Sequence, residues 1–191
     1  MKNTIENIYS SALFEVFEDE HGGSAGTDNV RPQFEAVLSE LSAVNDALSA
    51  APELAKFCLA PSVTNEDKLA VIGNIFGGKV SPYVFNFLCV LAEKRRLGRF
   101  GSIYRDFRRR YYEKFGITPV TVTSAFSLTA DRRARLISKM EQITGRQVEL
   151  SEKTDRNVIG GIVVDYGGSR IDGSVKTRLE LLKKEIADTV L

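Results

Sequence analysis

Residues 159–175 read IGGIVVDYGGSRIDGSV, and this stretch decides the second half of the fold. Its β-branched run, Ile162 to Tyr166, suits the pleated surface of a strand. Gly167-Gly168 follows, where glycine supplies the positive φ of a tight hairpin turn, and Ser169 to Ile171 is the returning strand. Asp172, Gly173 and Ser174 then form a corner. Asp172 or Ser174 caps a last helix that carries Val175, Leu179, Leu182 and Ile186 along one stripe. Gly160-Gly161 and Gly167-Gly168 fit no phosphate-binding glycine pattern, so they read as tight backbone turns. Asp172 reads as a cap or turn former rather than a catalytic acid.

Working outward, the pattern changes character at Gly116. Ile117 to Thr123 alternates apolar and polar with β-branched residues, a strand. Residues 129–144 read as a helix with Leu136, Ile137, Met140 and Ile143 inward, and residues 147–150 as a short strand. Everything before is helical. Residues 3–20 carry Ile5, Ile8, Tyr9, Ala12, Leu13, Val16 and Phe17 at helical spacing. Residues 21–29, HGGSAGTDN, read as a glycine-rich loop, after which Pro32 opens a second helix. A short helical piece covers residues 53–59. Thr64 caps a helix over residues 65–76, and Ser81-Pro82 starts an unusually apolar helix that runs to about Arg95. A last helix of this half covers about residues 99–115. The sequence predicts an α-helical N-terminal bundle of about six helices over residues 1–115, then a small α/β C-terminal domain over residues 116–191.

Composition narrows the function. The chain has 191 residues, 43% hydrophobic and 27% charged, with a formal net charge of +1. Global charge therefore recruits neither nucleic acid nor membrane. No apolar run approaches the roughly 20 residues that span a bilayer. The acidic, amphipathic start is unlike a signal peptide. Cys58 and Cys89 lack metal-ligand spacing and sit among apolar residues, so they read as buried reduced thiols in a cytoplasmic setting. The only histidine, His21, lies in the glycine-rich loop, which removes His-pair metal sites and makes a Ser-His-Asp arrangement improbable. No catalytic residue, metal or cofactor is expected. The alternative function is a nucleic-acid-binding module using the basic run at residues 94–114, KRRLGRFGSIYRDFRRRYYEK. Against it, Phe100, Ile103, Tyr104, Phe107 and Tyr111 form one inward stripe and are not free to stack on bases.

The C-terminal segment IGGIVVDYGGSRIDGSVKTRLELLKKEI resembles the δ subunit of bacterial-type F-type ATP synthase, related to the mitochondrial oligomycin-sensitivity-conferring protein. YSSALFEV (residues 9–16) is similar to the opening helix of that family, NFLCVLAEKRRLGRFGSIYRDF (residues 86–107) to its fifth and sixth helices, and VTVTSAFSLT (residues 120–129) to the start of its second domain. The glycine-rich loop at residues 21–29 is the one departure.

The resemblance implies a non-catalytic peripheral-stalk connector that resists rotor torque during ATP synthesis and proton transport. It would lie on the cytoplasmic face of the bacterial inner membrane without inserting. The implied partners are the α-subunit N-terminus for residues 1–115 and the C-terminal coiled coil of the b subunit for residues 116–191. Carried over residue by residue, Tyr9, Ala12 and Leu13 would line one wall of the α-subunit groove, and Phe87, Leu88 and Val90 the other. Gly160, Gly161, Asp172, Gly173 and Ser174 would be the structural motif of the second domain. On the last helix, the charged face of Lys176, Arg178, Glu180, Lys183, Lys184 and Glu185 would meet the coiled coil.

Overall fold

The computed structural model describes residues 4–21, 27–60, 62–156 and 158–189, with side chains described except at 21, 27–29, 55 and 184–189. The chain divides into two compact units, Met1–Tyr111 and Tyr112–Leu191. The division falls within the last turns of a helix, Phe100–Phe115, rather than at its end.

The first unit is built from helices α1 (Ile5–His21), α2 (Thr27–Ala50), α3 (Pro52–Leu59), α4 (Asn65–Phe76), α5 (Pro82–Glu93) and α6 (Phe100–Phe115). A 3-10 turn, Leu97–Arg99, joins the last two. Helical spacing turns Phe14, Phe17, Phe34 and Phe107 into one aromatic core. Phe34 lies 4.8 Å from Phe14 and 4.9 Å from Phe17 between ring centroids, and Phe14 lies 5.5 Å from Phe107. Tilted and edge-on pairs of this kind add to plain burial because ring edges are positive and faces negative. At the margin of the core the Tyr111 hydroxyl donates to Glu35 at 3.0 Å, and burial pushes its pKa up to about 12.

Local expectations are met at some helix ends and corrected at others. The Thr64 hydroxyl accepts the Asp67 N–H at 3.2 Å, as an N-cap should. Ser81 does not cap α5 through its side chain; instead its N–H donates to Glu40 of α2 at 2.8 Å. α2 starts at Thr27, so Pro32 lies inside the helix, where it withholds one ladder hydrogen bond near the start. His21 closes α1, and residues 22–26 of the expected loop lie outside the described residues.

The second unit holds β1 (Ile117–Ser124), α7 (Ala130–Thr144), β2 (Gln147–Thr154), β3 (Ile162–Tyr166), β4 (Ser169–Asp172) and α8 (Val175–Thr189). The sheet order is β2-β1-β3-β4. β1 and β2 are parallel, with α7 as the crossover that parallel neighbours require, and the other pairings are antiparallel. β2 extends to Thr154, past the expected Leu150, because it pairs with β1 along its whole length. Val120, Val122, Met140 and Val164 form the core, with Leu136, Leu150 and Ile162 against it. Ile143, expected inward, is 51% exposed, since a small sheet covers one line of α7 and not a whole face.

The 159–175 segment is a backbone clamp. The Gly173 N–H donates to the Ile162 carbonyl at 3.0 Å, and the Val175 N–H to Gly160 at 2.9 Å. Asp172 accepts the Ser174 N–H at 2.9 Å and the Thr177 hydroxyl at 3.0 Å, while Ser174 accepts the Thr177 N–H at 3.3 Å. Both residues therefore share the capping of α8. These hydrogen bonds, with the Ser174 N–H first, hold the Asp172 carboxyl below its usual range. The approach is so close that a Cβ on Gly161 would sit 2.3 Å from the Gly173 carbonyl oxygen.

Two stability predictions follow from these positions. Gly161→Ala meets both a φ of +83 and that contact, whereas Gly167→Ala meets a φ of +51 in open space. In denaturant unfolding Gly167→Ala is expected to cost about 1–2 kcal/mol and Gly161→Ala clearly more; equal losses would refute the clamp. Lys68 is 0% exposed, and its Nζ has no hydrogen-bond partner among the described residues. Lys68→Met keeps the stem and removes the desolvated amine, so the free energy of unfolding should rise by about 1–3 kcal/mol; a fall would show that the amine is satisfied in solution.

Candidate protein-docking site

α1 and α5 each carry more apolar side chains than their core face uses. On α1, Ile8 is 53% and Val16 49% exposed, with exposed Ala12 between them at i, i+4, i+8. On α5, Tyr83 is 36% and Val90 42% exposed, with half-buried Phe87 between them at i, i+4, i+7. The two stripes are neighbours. Tyr9 meets Phe87 edge-on at 6.4 Å and Phe17 meets Tyr83 at 6.1 Å, centroid to centroid. The result is a strip of exposed aliphatic and aromatic surface across two helices. Glu20, hydrogen-bonded to the Tyr83 hydroxyl, raises its pKa.

Of the six wall residues expected from sequence, Ala12, Val90, Tyr9 and Phe87 lie on this strip. Leu13, 7% exposed, and Leu88, 0% exposed, do not. Each stands one residue, and so about 100° of helix, beyond a strip residue, and is turned into the core. They support the strip from behind. Ile8, Val16 and Tyr83, outside the expected six, share the strip at the same four-residue and seven-residue spacings.

Polar contacts fix the strip's edges. α5 ends in a turn where Arg95 adopts φ 55, the Arg95 N–H donates to Ala92 at 3.0 Å and the Arg96 N–H to Leu91 at 2.7 Å. This is the paired closure that usually employs glycine. It returns Arg96 toward α1, where the guanidinium donates to the Tyr9 hydroxyl at 2.9 Å and lies 5.2 Å from the ring centre. On the far side of α1, fully buried Ser10 bonds the Asp106 carboxylate of α6. Arg110 reaches Asp106 at 3.2 Å and also bonds Asn7. Arg99 pairs with Glu6 at 2.5 Å.

The basic run at residues 94–114 is partly committed within the chain. Phe100, Ile103, Phe107 and Tyr111 are buried, and Arg96, Arg99, Arg109 and Arg110 of the basic run are engaged within the chain. Cys58 is buried and Cys89 half-buried, both free, and burial pushes both thiols up. Among the described residues no group of three or more His, Cys, Asp or Glu could hold a metal, and no helix is long and apolar enough to cross a membrane.

A sequence model of the ATP synthase delta (OSCP) subunit family matches residues 5–186. The chain belongs to that family. ATP synthase subunit delta of Prochlorococcus marinus is 33% identical over 181 residues, 94% of each chain. The subunit delta of Halothermothrix orenii is 35% identical over 186 residues, 97% of this chain and 92% of that one. A chain of the Toxoplasma gondii mitochondrial ATP synthase hexamer shares the fold, with a TM-score of 0.66 at 23% identity over 97% of this chain and 98% of that one. Delta (OSCP) subunits are structural components of the peripheral stalk of F-type ATP synthase.

The pinning of α1 has a pH signature. Burial raises the Asp106 pKa, but hydrogen bonds from Ser10, Arg109 and Arg110 outweigh it, so the carboxyl is held below its usual range. A folded-state pKa below the unfolded value gives stability that is complete above the unfolded pKa of about 4 and lost as pH falls through the folded one. Asp106→Asn is expected to cost about 1–3 kcal/mol at pH 7 and to flatten the acid limb of stability against pH. Parallel acid limbs in the variant and the parent would show that the network contributes nothing.

Proposed function

We propose that this chain is the non-catalytic connector of the peripheral stalk, joining the catalytic head of F-type ATP synthase to the b subunits. It resists rotor torque during ATP synthesis and proton transport. In this reading the α1–α5 strip seats the amphipathic N-terminal helix of an α subunit. The second unit holds the C-terminal coiled coil of the b subunits, and the protein sits peripherally on the cytoplasmic face of the bacterial inner membrane.

The exposed strip is the observation that carries the reading. Anchors at i, i+4 and i+7 or i+8 on two adjacent helices match the pattern by which an incoming helix is gripped. Single exposed apolar residues are ordinary, but a contiguous patch marks an interaction surface. Ala12 lies between Ile8 and Val16, where a small side chain leaves room for a partner backbone. On α8, Val175, Leu179 and Leu182 are 41%, 53% and 52% exposed at i, i+4, i+7. That apolar stripe suits a coiled coil better than the charged face expected from sequence, because exposed ion pairs contribute only about 0–1 kcal/mol each.

Calorimetry with a synthetic peptide of the α-subunit N-terminus should give saturable heat, and ATP should give none. Val90→Asp is expected to weaken the peptide at least about tenfold by burying an unpaired carboxylate, with an unchanged melting curve because Val90 is exposed. Full-strength binding by Val90→Asp would remove the strip from the interface.

A further inference from the structure

Cys58 and Lys68 are both 0% exposed, and they flank one corner of the first unit. Cys58 lies in the last turn of α3 and Lys68 in the first turn of α4. The corner is tight. The Ala60 N–H donates to the Lys56 carbonyl at 3.1 Å, the Val63 N–H to the Ala60 carbonyl at 3.4 Å, and the Lys68 N–H to the Thr64 carbonyl at 3.2 Å. These bonds draw the end of α3 to the start of α4, and both side chains turn inward. The Lys68 Nζ is desolvated there and has no hydrogen-bond partner among the described residues. An amine buried without a partner is costly to keep.

The charge of Lys68 is felt at the Cys58 sulfur: burial pushes the thiol up, and Lys68 pulls it back. Cys89 has the opposite neighbour, since burial and then Glu93 push its thiol up. Oxidants attack the thiolate, so the local field favours Cys58 over Cys89. Access needs only a small opening. α3 has eight residues and no side-chain cap at its start, and Lys56, Phe57 and Leu59 beside Cys58 are exposed. Local opening of one short helix admits a molecule the size of hydrogen peroxide.

We propose that Cys58 and Lys68 form a reversible, peroxide-driven covalent link that locks α4 to α3. In the first step the Cys58 Sγ takes one oxygen from hydrogen peroxide. The O–O bond breaks, water leaves, and a sulfenic acid remains. In the second step the lone pair of the neutral Lys68 Nζ attacks Sγ. The S–O bond breaks, and the departing hydroxide leaves as water with a proton from nitrogen. One thiol, one amine and one peroxide thus give one sulfenamide and two waters, with two electrons passing from sulfur to peroxide. Two molecules of a thiol reductant reverse the link, returning the thiol and the amine and leaving as a disulfide. The S–N bond gives the orphaned Nζ a partner and needs no cavity. The proposal stands apart from the stalk-connector reading.

The test uses the full-length chain carrying Cys89→Ser, in which Cys58 is the only thiol and no internal disulfide can form. After hydrogen peroxide under native conditions the intact mass should fall by about 2 Da, and dithiothreitol should restore it. Peptide mapping should join the segment that holds Cys58 to the segment that holds Lys68. With Lys68→Met added, the loss should disappear and the protein should instead gain oxygen, by about 16 or 32 Da. A cross-link across a short loop restricts the unfolded chain, so the linked form should melt at a higher temperature than the reduced one. A loss of about 2 Da that survives Lys68→Met would be a bond to a backbone nitrogen and would overturn the proposal. Oxygen addition alone in the protein that keeps Lys68, or no reaction at Cys58, overturns it equally. Mapping needs no substitution at position 68, so a misfolded Lys68→Met leaves the decision to the mapped bond: any nitrogen other than the Lys68 Nζ sinks the lock.

Discussion

A helix can turn only one side toward its own core, and α1, α5 and α8 carry more apolar side chains than one side holds. Their surplus has to face water or another chain. On α1 the core takes Leu13, Phe14 and Phe17, and Ile8, Ala12 and Val16 remain outside; on α5 it takes Val84, Leu88 and Leu91, and Tyr83 and Val90 remain. The transfer of such side chains out of water stabilises by roughly 25 cal/mol per Å² of apolar area. That free energy is withheld from folding and is available to association. The aromatic core of Phe14, Phe34 and Phe107 has to hold the bundle without it.

Leaving an apolar strip in water is useful only if the helices bearing it stay in place. The polar contacts around α1 serve this end. Ser10 and Asn7 are tied to α6 through Asp106 and Arg110, and Glu6 to the 3-10 turn through Arg99, while Tyr9 is held by Arg96 from the turn after α5. A surface fixed before the partner arrives loses less conformational freedom on binding, which is the main gain from pre-organisation. The φ of 55 at Arg95 fits the same account, since a non-glycine residue in that region is tolerated where the closure aims the next side chain at α1.

The sequence made the layout legible because its strongest signals are local. Alternation at residues 117–123, the Gly167-Gly168 hairpin and the Pro82 start each act over a few residues, and each element formed where expected. What stayed hidden depends on contacts between distant residues. Leu13 and Leu88 are as apolar as their neighbours, and only the packed bundle turns them inward. The exposure of Ile143 reflects the narrowness of the sheet beneath α7. Pro32 marked a helix start because proline tolerates first turns best, yet α2 began earlier. The clamp was readable as a cluster of glycines, but the reason Gly161 must be glycine is the Gly173 carbonyl, twelve positions along the chain.

In the proposed connector role, two docking surfaces must not accept each other's partner. Attraction alone does not provide this, because one apolar helix face resembles another. Discrimination comes from pairing an attractive feature with a repulsive one. The α1–α5 strip is aliphatic and aromatic, with Arg96 and the Arg99–Glu6 pair near one end. A cleft beside α7 in the second unit is a row of cations set around Leu136 and Phe126. A basic amphipathic helix could lie on the first surface but would be repelled by the second, whereas an acidic one gains at the second what it cannot gain at the first. In that role Arg132 and Lys139 of α7, without an ion-pair partner among the described residues, are the charges that set the two surfaces apart.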